Sequence, residues 1–272
     1  MPNLTLPLLI EPDVLQRHLG QRDLIIADLS DKQTHLAYHI AGAQHIDYGR
    51  LTCELPGAPG PLTEESPLTE TLNALGLTPH HHVVAYDDHG NTSACRLLWT
   101  LDLVGHSRYS LLNGGLRAWL DERRPTEPNE SPLQPATGRY SVVESPPCVD
   151  LLYLLQHLND PAIQLIDVRT PDEYRGHDRR AQRGGHIPGA INLPHNVLIS
   201  PEHSNRLLPE HELRAIVSQY GIDPAKQTIV YCQSHRRSAL VYYALKTLGL
   251  PHVKAYPGAW QEWGNNLDTP ID

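Results

Sequence analysis

The chain repeats itself once, and this internal repeat constrains its fold more than any other feature. Its two halves can be aligned at an offset of about 145 residues. Landmarks of strand, turn and helix type recur in the same order in both halves. The matched landmarks are 24–28 with 164–169, 39–43 with 186–190, 83–86 with 229–231, Ser93 with Ser238, Gly105 with Gly249, and 111–119 with 255–263. We therefore expect two domains built on one plan.

The order of the segments predicts the fold class. Each half alternates short apolar segments with longer stretches of helical character. That alternation is typical of an α/β domain with a mostly parallel sheet flanked by helices. A stretch rich in proline and polar residues separates the halves and indicates an extended linker. The predicted organisation is a first domain over 1–124, a linker over 125–146 and a second domain over 147–272.

Charge and composition limit the partners and the location of the protein. The net charge of −9 disfavours nucleic acid and anionic membranes as partners. No apolar run approaches the roughly 20 residues that span a bilayer. The N-terminal segment lacks the basic and apolar parts of a secretory signal, so we expect a cytoplasmic protein. Against this negative background, the arginines at 179, 180, 183, 236 and 237 indicate a local site for a small anion.

Cys232 is the residue whose surroundings most favour chemistry. The apolar segment 227–231 predicts a buried strand, a short polar loop follows, and a helix is predicted from about Arg237 until Gly249. We expect this helix to have one apolar face, formed by Leu240, Tyr243, Ala244, Thr247 and Leu248. A thiol at such a strand–helix junction lies near loop amides, the positive end of a helix dipole and two arginines, all of which favour a thiolate. The alternative interpretation is a buried, inert cysteine.

The first half lacks this nucleophile. Asp87 occupies the position that corresponds to Cys232. A carboxylate cannot act as a thiolate, and a second carboxylate at Asp88 would repel an anion. We therefore expect the first domain to be catalytically inactive and to shape access to the working site.

Three further positions in the second half can be compared with the first. Asp167 and His186 have counterparts in the inactive half, so we expect them to be structural. Arg169 has none, because Ser30 takes its place. Two interpretations of Arg169 stay open: that it neighbours the site, and that it forms a salt bridge with Glu173.

The remaining cysteines and a histidine run give no sign of a metal or cofactor. Cys53, Cys95 and Cys148 are widely spaced and have no metal-type pairing, and Cys95 falls in a predicted helix, where it reads as core. The histidine run 80–82 allows a metal-site interpretation. We disfavour it because three consecutive residues cannot converge on one ion. We expect no cofactor and no metal.

Four sequence features together resemble the tandem-domain rhodaneses, a family of sulfurtransferases, in their bacterial form. They are residues 167–174, residues 185–190, the strand–Cys232–loop–helix unit, and the ending with Gly258 and Trp263. The resemblance covers nearly the whole chain. It implies two rhodanese-like domains, an inactive N-terminal copy, and a cysteine persulfide intermediate in the C-terminal copy.

The resemblance turns the loop into a proposed site. We expect the Cys232 thiolate to attack the outer sulfur of an anionic donor such as thiosulfate, and the persulfide to pass its sulfur to a thiophilic acceptor such as cyanide or a thiol. A protein could also be the sulfur acceptor. The predicted binding groups are the amides and side chains of the loop, with Arg237 leading and Arg236 and His235 secondary; the full predicted set is Gln233, Ser234, His235, Arg236, Arg237 and Ser238.

The loop also leaves other functions open. Thiosulfate enzymes of the mammalian type carry Arg-Lys directly after the cysteine and mercaptopyruvate enzymes carry Gly-Ser-Gly, whereas this chain has Gln233 and Ser234. A 3-mercaptopyruvate sulfurtransferase and a persulfide carrier to a protein partner are therefore alternatives. A phosphatase or arsenate reductase is a remote one, because the arginine it needs falls one position early, at Arg237. A scaffold with no persulfide is disfavoured by the arginines beside the thiol.

Overall fold

The computed structural model describes residues 4–52, 60–64, 66–130 and 137–272, which form two compact units. The first unit comprises Met1–Pro146 with Pro201–Arg206, and the second comprises Pro147–Ser200 with Leu207–Asp272. A short segment from the second half of the chain therefore belongs to the first unit, which the repeat does not predict. Cys53 and residues 131–136 of the predicted linker lie outside the described residues.

The first unit is built on a parallel sheet. Its strands are β1 (Leu9–Ile10), β2 (Leu24–Asp28), β3 (His39–Ile40), β4 (Gln44–His45), β5 (Gly60–Pro61), β6 (His82–Tyr86), β7 (Tyr109–Leu112), β8 (Thr126–Glu127) and β9 (Ser141–Val142). Its helices are α1 (Pro12–His18), α2 (Lys32–Ala37), α3 (Pro67–Ala74), α4 (Thr92–Leu103) and α5 (Gly115–Asp121). The sheet order is β1-β7-β6-β2-β4, with every pair parallel. β6 is buried along its whole length, as expected for a central strand covered on both faces.

Parts of the predicted linker form strands in the first unit. β8 pairs with β3, and β9 pairs with β5, both antiparallel. These two pairs give residues 126–127 and 141–142 regular hydrogen-bonded partners. The described ends of the 125–146 stretch are thus held against the first unit, while its exact limits as a linker stay a prediction.

The second unit repeats the plan with fewer strands. Its strands are β10 (Ile163–Asp167), β11 (Ile191–Asn192), β12 (Ile199–Ser200), β14 (Gln227–Tyr231) and β15 (Val253–Ala255), while the two-residue β13 (Arg206–Leu207) has one residue in each unit. Its helices are α6 (Leu151–His157), α7 (Pro171–Tyr174), α8 (Glu210–Gln219), α9 (Arg237–Thr247) and α10 (Ala259–Trp263). The main sheet has the order β11-β10-β14-β15, again all parallel. At its edge Cys148 forms a parallel bridge with Ala255, in the place that β1 holds in the first unit.

The two sheets share their register as well as their order. Asp28 aligns with Tyr86 at the end of the β2–β6 pair, and Asp167 aligns with Tyr231 at the end of the β10–β14 pair. Each unit has its own apolar core, and Trp119 and Trp263 are fully buried in the two cores. The predicted α/β class and the duplication are confirmed by these matching sheets.

α9 is more deeply buried than its sequence pattern suggests. It begins at Arg237 and ends at Thr247, and Gly249 follows in the left-handed region at φ +78°, as predicted. The prediction that α9 has a single apolar face is wrong, because all residues from Ser238 to Leu245 are buried. Packing on several sides leaves no solvated face along this stretch. None of the helices in the described ranges is long and apolar enough to cross a bilayer.

Candidate active site around Cys232

Cys232 lies where the central strand of the second sheet ends. It directly follows β14, and α9 begins five residues later at Arg237. In open parallel sheets, ligands bind beyond the carboxyl ends of the strands. The intervening loop turns tightly, with His235 in the left-handed region at φ +55°. The corresponding residue of the first unit is Gly90, at φ +75°. The two loops therefore share a left-handed residue three positions after Cys232 and Asp87, but they differ at the next residue, where Asn91 is left-handed at φ +69° and Arg236 is right-handed at φ -93°.

The thiol is almost closed to solvent and has a hydroxyl beside it. Cys232 is 1% exposed. The Ser238 hydroxyl donates to Cys232 Sγ at 3.5 Å, and a second hydrogen bond of 2.8 Å joins Ser238 Oγ to His235 Nδ1. A donor molecule must therefore be small, or the loop must open for it to reach the sulfur. Burial alone does not make Cys232 an inert core residue, because the Ser238 hydroxyl lies beside its sulfur and the His235 imidazole lies beside that hydroxyl.

The corresponding loop of the first unit holds an anion. There the Asp87 carboxylate, at the Cys232 position, accepts four hydrogen bonds of 2.8–2.9 Å from backbone amides, those of His89, Asn91, Ser93 and Ala94. Amides converging at the start of a helix form an anion-binding cradle. The first unit thus fills its own cradle with a side-chain anion. In the second unit a sulfur atom takes that position.

Glu173 supplies a counter-charge that the sequence analysis did not assign to the site. It is fully buried and forms a capping box with Thr170 at the start of α7. Both of its carboxylate oxygens accept hydrogen bonds from Arg237, at 2.6 and 2.8 Å. Burial alone would raise the pKa of Glu173, but the hydrogen bonds and charge of Arg237 outweigh burial and lower this pKa to about 2. Glu173 is therefore a carboxylate throughout the neutral range.

Arg237 is held by this pair close to the sulfur. Its side chain is 18% exposed. Burial lowers the pKa of Arg237, while its hydrogen bonds with Glu173 and the nearby Cys232 sulfur raise it, and the net direction is upward. The predicted leading role of Arg237 in donor binding stays a prediction. The structure adds that its guanidinium is already oriented by a carboxylate.

Arg169 has a different partner from the one that the sequence allowed. It is buried and bonds to Asp167 through Nε at 3.0 Å and Nη2 at 2.5 Å. The alternative of a salt bridge with Glu173 is therefore wrong, because Asp167 is two residues away and fully buried, where its charge needs a permanent partner. In the first unit, where Ser30 replaces the arginine, Asp28 instead bonds to His35 at 2.7 Å.

The other predicted loop residues occupy distinct environments. Gln233 is half-buried, and its side-chain amide donates to the Arg180 carbonyl at 3.0 Å. Ser234 is exposed at the tip of the loop, and Arg236 is half-buried just before α9. Arg180 also lies 3.5 Å from Glu173. The structure thus brings the Arg180 segment next to the loop, as the arginine pattern suggested, whereas Arg183 instead donates to carbonyls of the C-terminal segment.

Two further residues near the loop were missed by sequence reasoning. His195, in the 3-10 turn His195–Leu198, has its pKa lowered to about 4 by burial and by the charge of Arg237, so it is neutral at pH 7. Trp260 donates its backbone N–H to the Cys232 carbonyl at 2.9 Å, and the Arg169 guanidinium lies 4.4 Å from its ring. The repeat signals neither residue, because the two endings pair Trp119 with Trp263 and place Leu116 opposite Trp260, and His195 lies outside the matched landmarks.

His186 and Cys95, two of the residues interpreted as structural, make their contacts outside the β14–α9 loop. His186 stacks on Tyr174 with ring centroids 3.6 Å apart, as its counterpart His39 stacks on His35. Cys95 is buried in α4, and this burial raises the pKa of its thiol.

The histidine run does not converge. His82 bonds to Ser110 at 2.8 Å, and the His81 ring accepts from the Thr78 backbone N–H at 3.2 Å. Over the described residues, the group of three side chains with ligand atoms within 4.8 Å of one another is Asp31, Asp88 and His89.

Comparison with known proteins places the chain in a family. The rhodanese-like domain matches twice, over residues 11–122 and 150–266. Thiosulfate sulfurtransferase of Azotobacter vinelandii is 39% identical over 269 residues, covering 98% of each chain. Thiosulfate sulfurtransferase of Pseudomonas aeruginosa is 36% identical over 267 residues, covering 98% of this chain and 97% of that protein. The protein belongs to the rhodanese family, with two tandem copies of the domain, as the sequence predicted.

More distant relatives carry other names. A sulfur carrier protein of Thermus thermophilus is 34% identical and covers 97% of this chain and 95% of its own length. The 3-mercaptopyruvate sulfurtransferase of Escherichia coli is 33% identical and covers 93% of this chain and 88% of its own length. Among solved structures, an anaerobic ergothioneine biosynthesis enzyme from Chlorobium limicola superimposes with a TM-score of 0.84 at 23% identity, covering 97% of this chain and 70% of that one. This last similarity concerns the fold alone.

Proposed function

We propose that this protein is a thiosulfate sulfurtransferase, which moves a sulfane sulfur from a small anionic donor to a thiophilic acceptor through a persulfide on Cys232. The observation that carries the proposal is the position of the thiol. It lies in a strand–loop–helix unit whose counterpart in the first unit holds the Asp87 carboxylate with four backbone amides, two on each oxygen. The names of the two relatives with 39% and 36% identity support thiosulfate as the donor.

The proposed reaction has two half-reactions. The Cys232 thiolate attacks the outer sulfur of thiosulfate, an S–S bond forms, and the electron pair of the broken bond leaves with sulfite. The persulfide anion then lies where Asp87 lies in the first unit, in reach of the loop amides. Arg237 and Arg236 attract the donor's oxygens, because a guanidinium matches an oxyanion through paired hydrogen bonds. In the second half-reaction, cyanide or a thiol attacks the terminal sulfur and restores the thiolate.

Glu173 reduces the positive charge that Arg237 brings to the Cys232 loop. It neutralises Arg237 in part, so the loop keeps enough positive charge to attract an anion without binding the product sulfite permanently. Arg180, 53% exposed at its side chain, adds a further cation at the same carboxylate. We expect a small anionic donor to suit this arrangement.

Two related functions keep support from the relatives. The 3-mercaptopyruvate enzyme and the sulfur carrier protein are 33% and 34% identical to this chain, over 93% and 97% of its length. Their difference from the main proposal lies in the donor and the acceptor, including a possible protein acceptor. A phosphatase or arsenate reductase stays disfavoured, because the arginine that it needs falls one position early, at Arg237.

Steady-state kinetics test the proposal. Thiocyanate formation from thiosulfate and cyanide is measured for the wild type, for Cys232→Ser and for Cys148→Ser, a matched change at a half-buried cysteine on the sheet edge. We expect Cys232→Ser to lose at least about a thousandfold in kcat/KM and Cys148→Ser to keep the wild-type value. A parallel series with 3-mercaptopyruvate ranks the donors. Full activity of Cys232→Ser would overturn the proposal.

A further inference from the structure

Three buried polar groups of the loop form a continuous line that ends at the sulfur. Ser238 Oγ lies 3.5 Å from Cys232 Sγ and 2.8 Å from His235 Nδ1. His235 and Ser238 are 0% exposed and Cys232 is 1% exposed. A single hydroxyl therefore connects the thiol to an imidazole nitrogen in a region with almost no solvent.

The histidine is held there at a conformational cost. His235 has φ +55°, in the left-handed region that favours glycine over residues with a side chain. The first unit has Gly90 at this position, at φ +75°, where no side chain opposes this conformation. Strain retained at one residue of a loop is a sign of function.

The first unit keeps only one of the three residues, Cys232, Ser238 and His235, that form this line. It keeps the serine, as Ser93, but has Asp87 in place of the thiol and Gly90 in place of the histidine. The thiol and the imidazole therefore occur together in one unit and are both replaced in the other. A purely structural role for the histidine gives no reason for this joint replacement.

We propose that Ser238 and His235 form a proton relay that converts the Cys232 thiol to the thiolate; this proposal rests on the proposed function of Cys232. In the resting thiol form, Cys232 S–H donates to Ser238 Oγ, and the Ser238 hydroxyl donates to His235 Nδ1. On activation the thiol proton moves to Ser238 Oγ while the serine's own proton moves to His235 Nδ1. The serine is unchanged, the sulfur gains the electron pair of the S–H bond, and the imidazole carries the proton. The Ser238 hydroxyl then donates to the thiolate, which is the direction of the 3.5 Å hydrogen bond from Ser238 Oγ to Cys232 Sγ.

A serine suits this task because of its one proton. Ser238 cannot donate to both neighbours at once, so its hydroxyl must point to His235 when the sulfur is a thiol and to the sulfur when it is a thiolate. The relay therefore couples the orientation of one hydroxyl to the charge of the sulfur. Other charged or titratable groups around the sulfur stay in place in the variants below and set the baseline; they are Arg236, Arg237, Glu173, Asp167 and His195.

The relay is tested by the pH dependence of alkylation of Cys232 with iodoacetamide. His235→Asn keeps a hydrogen-bond acceptor near Ser238 and tolerates the left-handed backbone, but removes the base. Ser238→Ala removes the bridge. We expect either variant to move the alkylation midpoint upward by about one pH unit, which is about a tenfold loss of rate below the midpoint, with convergence to the wild-type rate at high pH. Because the two residues act in series, the double variant shifts no further than either single variant.

The controls separate the relay from folding and from the proposed function. Ser218→Ala and His211→Asn remove the same groups from exposed positions on α8 and leave the profile unchanged. If Ser238→Ala fails to fold, His235→Asn alone gives the midpoint. An unchanged midpoint, or shifts that add in the double variant, would overturn the relay even while Cys232→Ser abolishes sulfur transfer. Shifted midpoints in a protein that takes no sulfur from thiosulfate would leave the relay standing and remove the proposed function.

Discussion

Glu173 determines how much positive charge acts on the sulfur. Its buried carboxylate bonds to Arg237 through both oxygens and lies 3.5 Å from Arg180. Removing one partner of a buried ion pair strongly destabilises the folded protein, because the remaining charge is then buried with neither a partner nor water. At the scale of single residues, then, the charge beside Cys232 and the stability of the second unit depend on the same contact.

Glu173→Gln tests this dependence through acid. The pKa of Glu173 is lowered from 4.5 to about 2 in the folded protein. The native state therefore binds fewer protons than the unfolded state, so the stabilisation is complete above pH 4.5 and is lost as the pH falls from 4.5 towards 2. We expect Glu173→Gln to lose about 3 kcal/mol of unfolding free energy at pH 7, measured by urea denaturation, and the gap to the wild type to close near pH 2.

The matched control is Glu210→Gln on α8. Glu210 also pairs with an arginine, Arg214 at 2.7 Å, but its side chain is 67% exposed. An exposed pair one helical turn apart contributes only a few tenths of a kcal/mol, so this variant should stay close to the wild type at both pH values. Equal losses in the two variants would contradict the account of the buried pair.

At the scale of elements, the two strand–loop–helix units place different groups at the start of the helix. In each unit a loop leads from a central strand to the start of a helix, where an anion is favoured. The β6–α4 loop satisfies its amides permanently with the Asp87 carboxylate. The β14–α9 loop places a thiol there, whose charge can appear and disappear with the reaction. The loop of the first unit therefore holds a fixed carboxylate charge, whereas the loop of the second unit holds a group that can gain or lose its charge.

Asp87→Ala tests the locked cradle. The change leaves four amides of a buried loop without their acceptor, so we expect a loss of about 3 kcal/mol or more of unfolding free energy in the first unit. Hydrogen exchange of the first turn of α4 should increase. Sulfate should restore more stability to this variant than to the wild type, because the emptied cradle can bind an anion.

Asp88→Ala provides the comparison for that variant. Asp88 is the next residue of the same loop, with a side chain that is 22% exposed. We expect a much smaller loss of stability and no special effect of sulfate. If Asp87→Ala were as stable as Asp88→Ala, the amide cradle would have no energetic role in the first unit.

The loop and the helix also show where sequence reasoning stops. The strand, the turn and the helix limits around Cys232 follow from local signals, an apolar run and a terminal glycine, and are as predicted. The burial of α9 on all sides does not follow, because Arg237, Ser238 and Tyr242 read as polar or amphipathic until their partners are known. The Glu173–Arg237 pair joins residues 64 positions apart and has no local pattern.

At the scale of the whole molecule, the repeat predicts the architecture and leaves the exceptions unexplained. Matching landmarks predict two sheets of the same order, which the strand pairing confirms. The repeat does not predict that Pro201–Arg206 joins the first unit, where the Ser204 hydroxyl donates to Asp121 and Arg206 bonds to Glu11. This segment has no counterpart among the landmarks, so only tertiary packing determines its place. The missed His195 follows from the same cause, since its position depends on how the 3-10 turn packs.

The central claim is that Cys232 carries a transferable sulfur, and intact mass measures this directly. After incubation with thiosulfate and removal of excess donor, the wild type should gain the mass of one sulfur atom, located on the peptide that contains Cys232. Cyanide should remove this mass with formation of thiocyanate, and Cys232→Ser should gain none. A wild-type protein that stays at its unmodified mass, or a sulfur that remains in Cys232→Ser, would contradict the account.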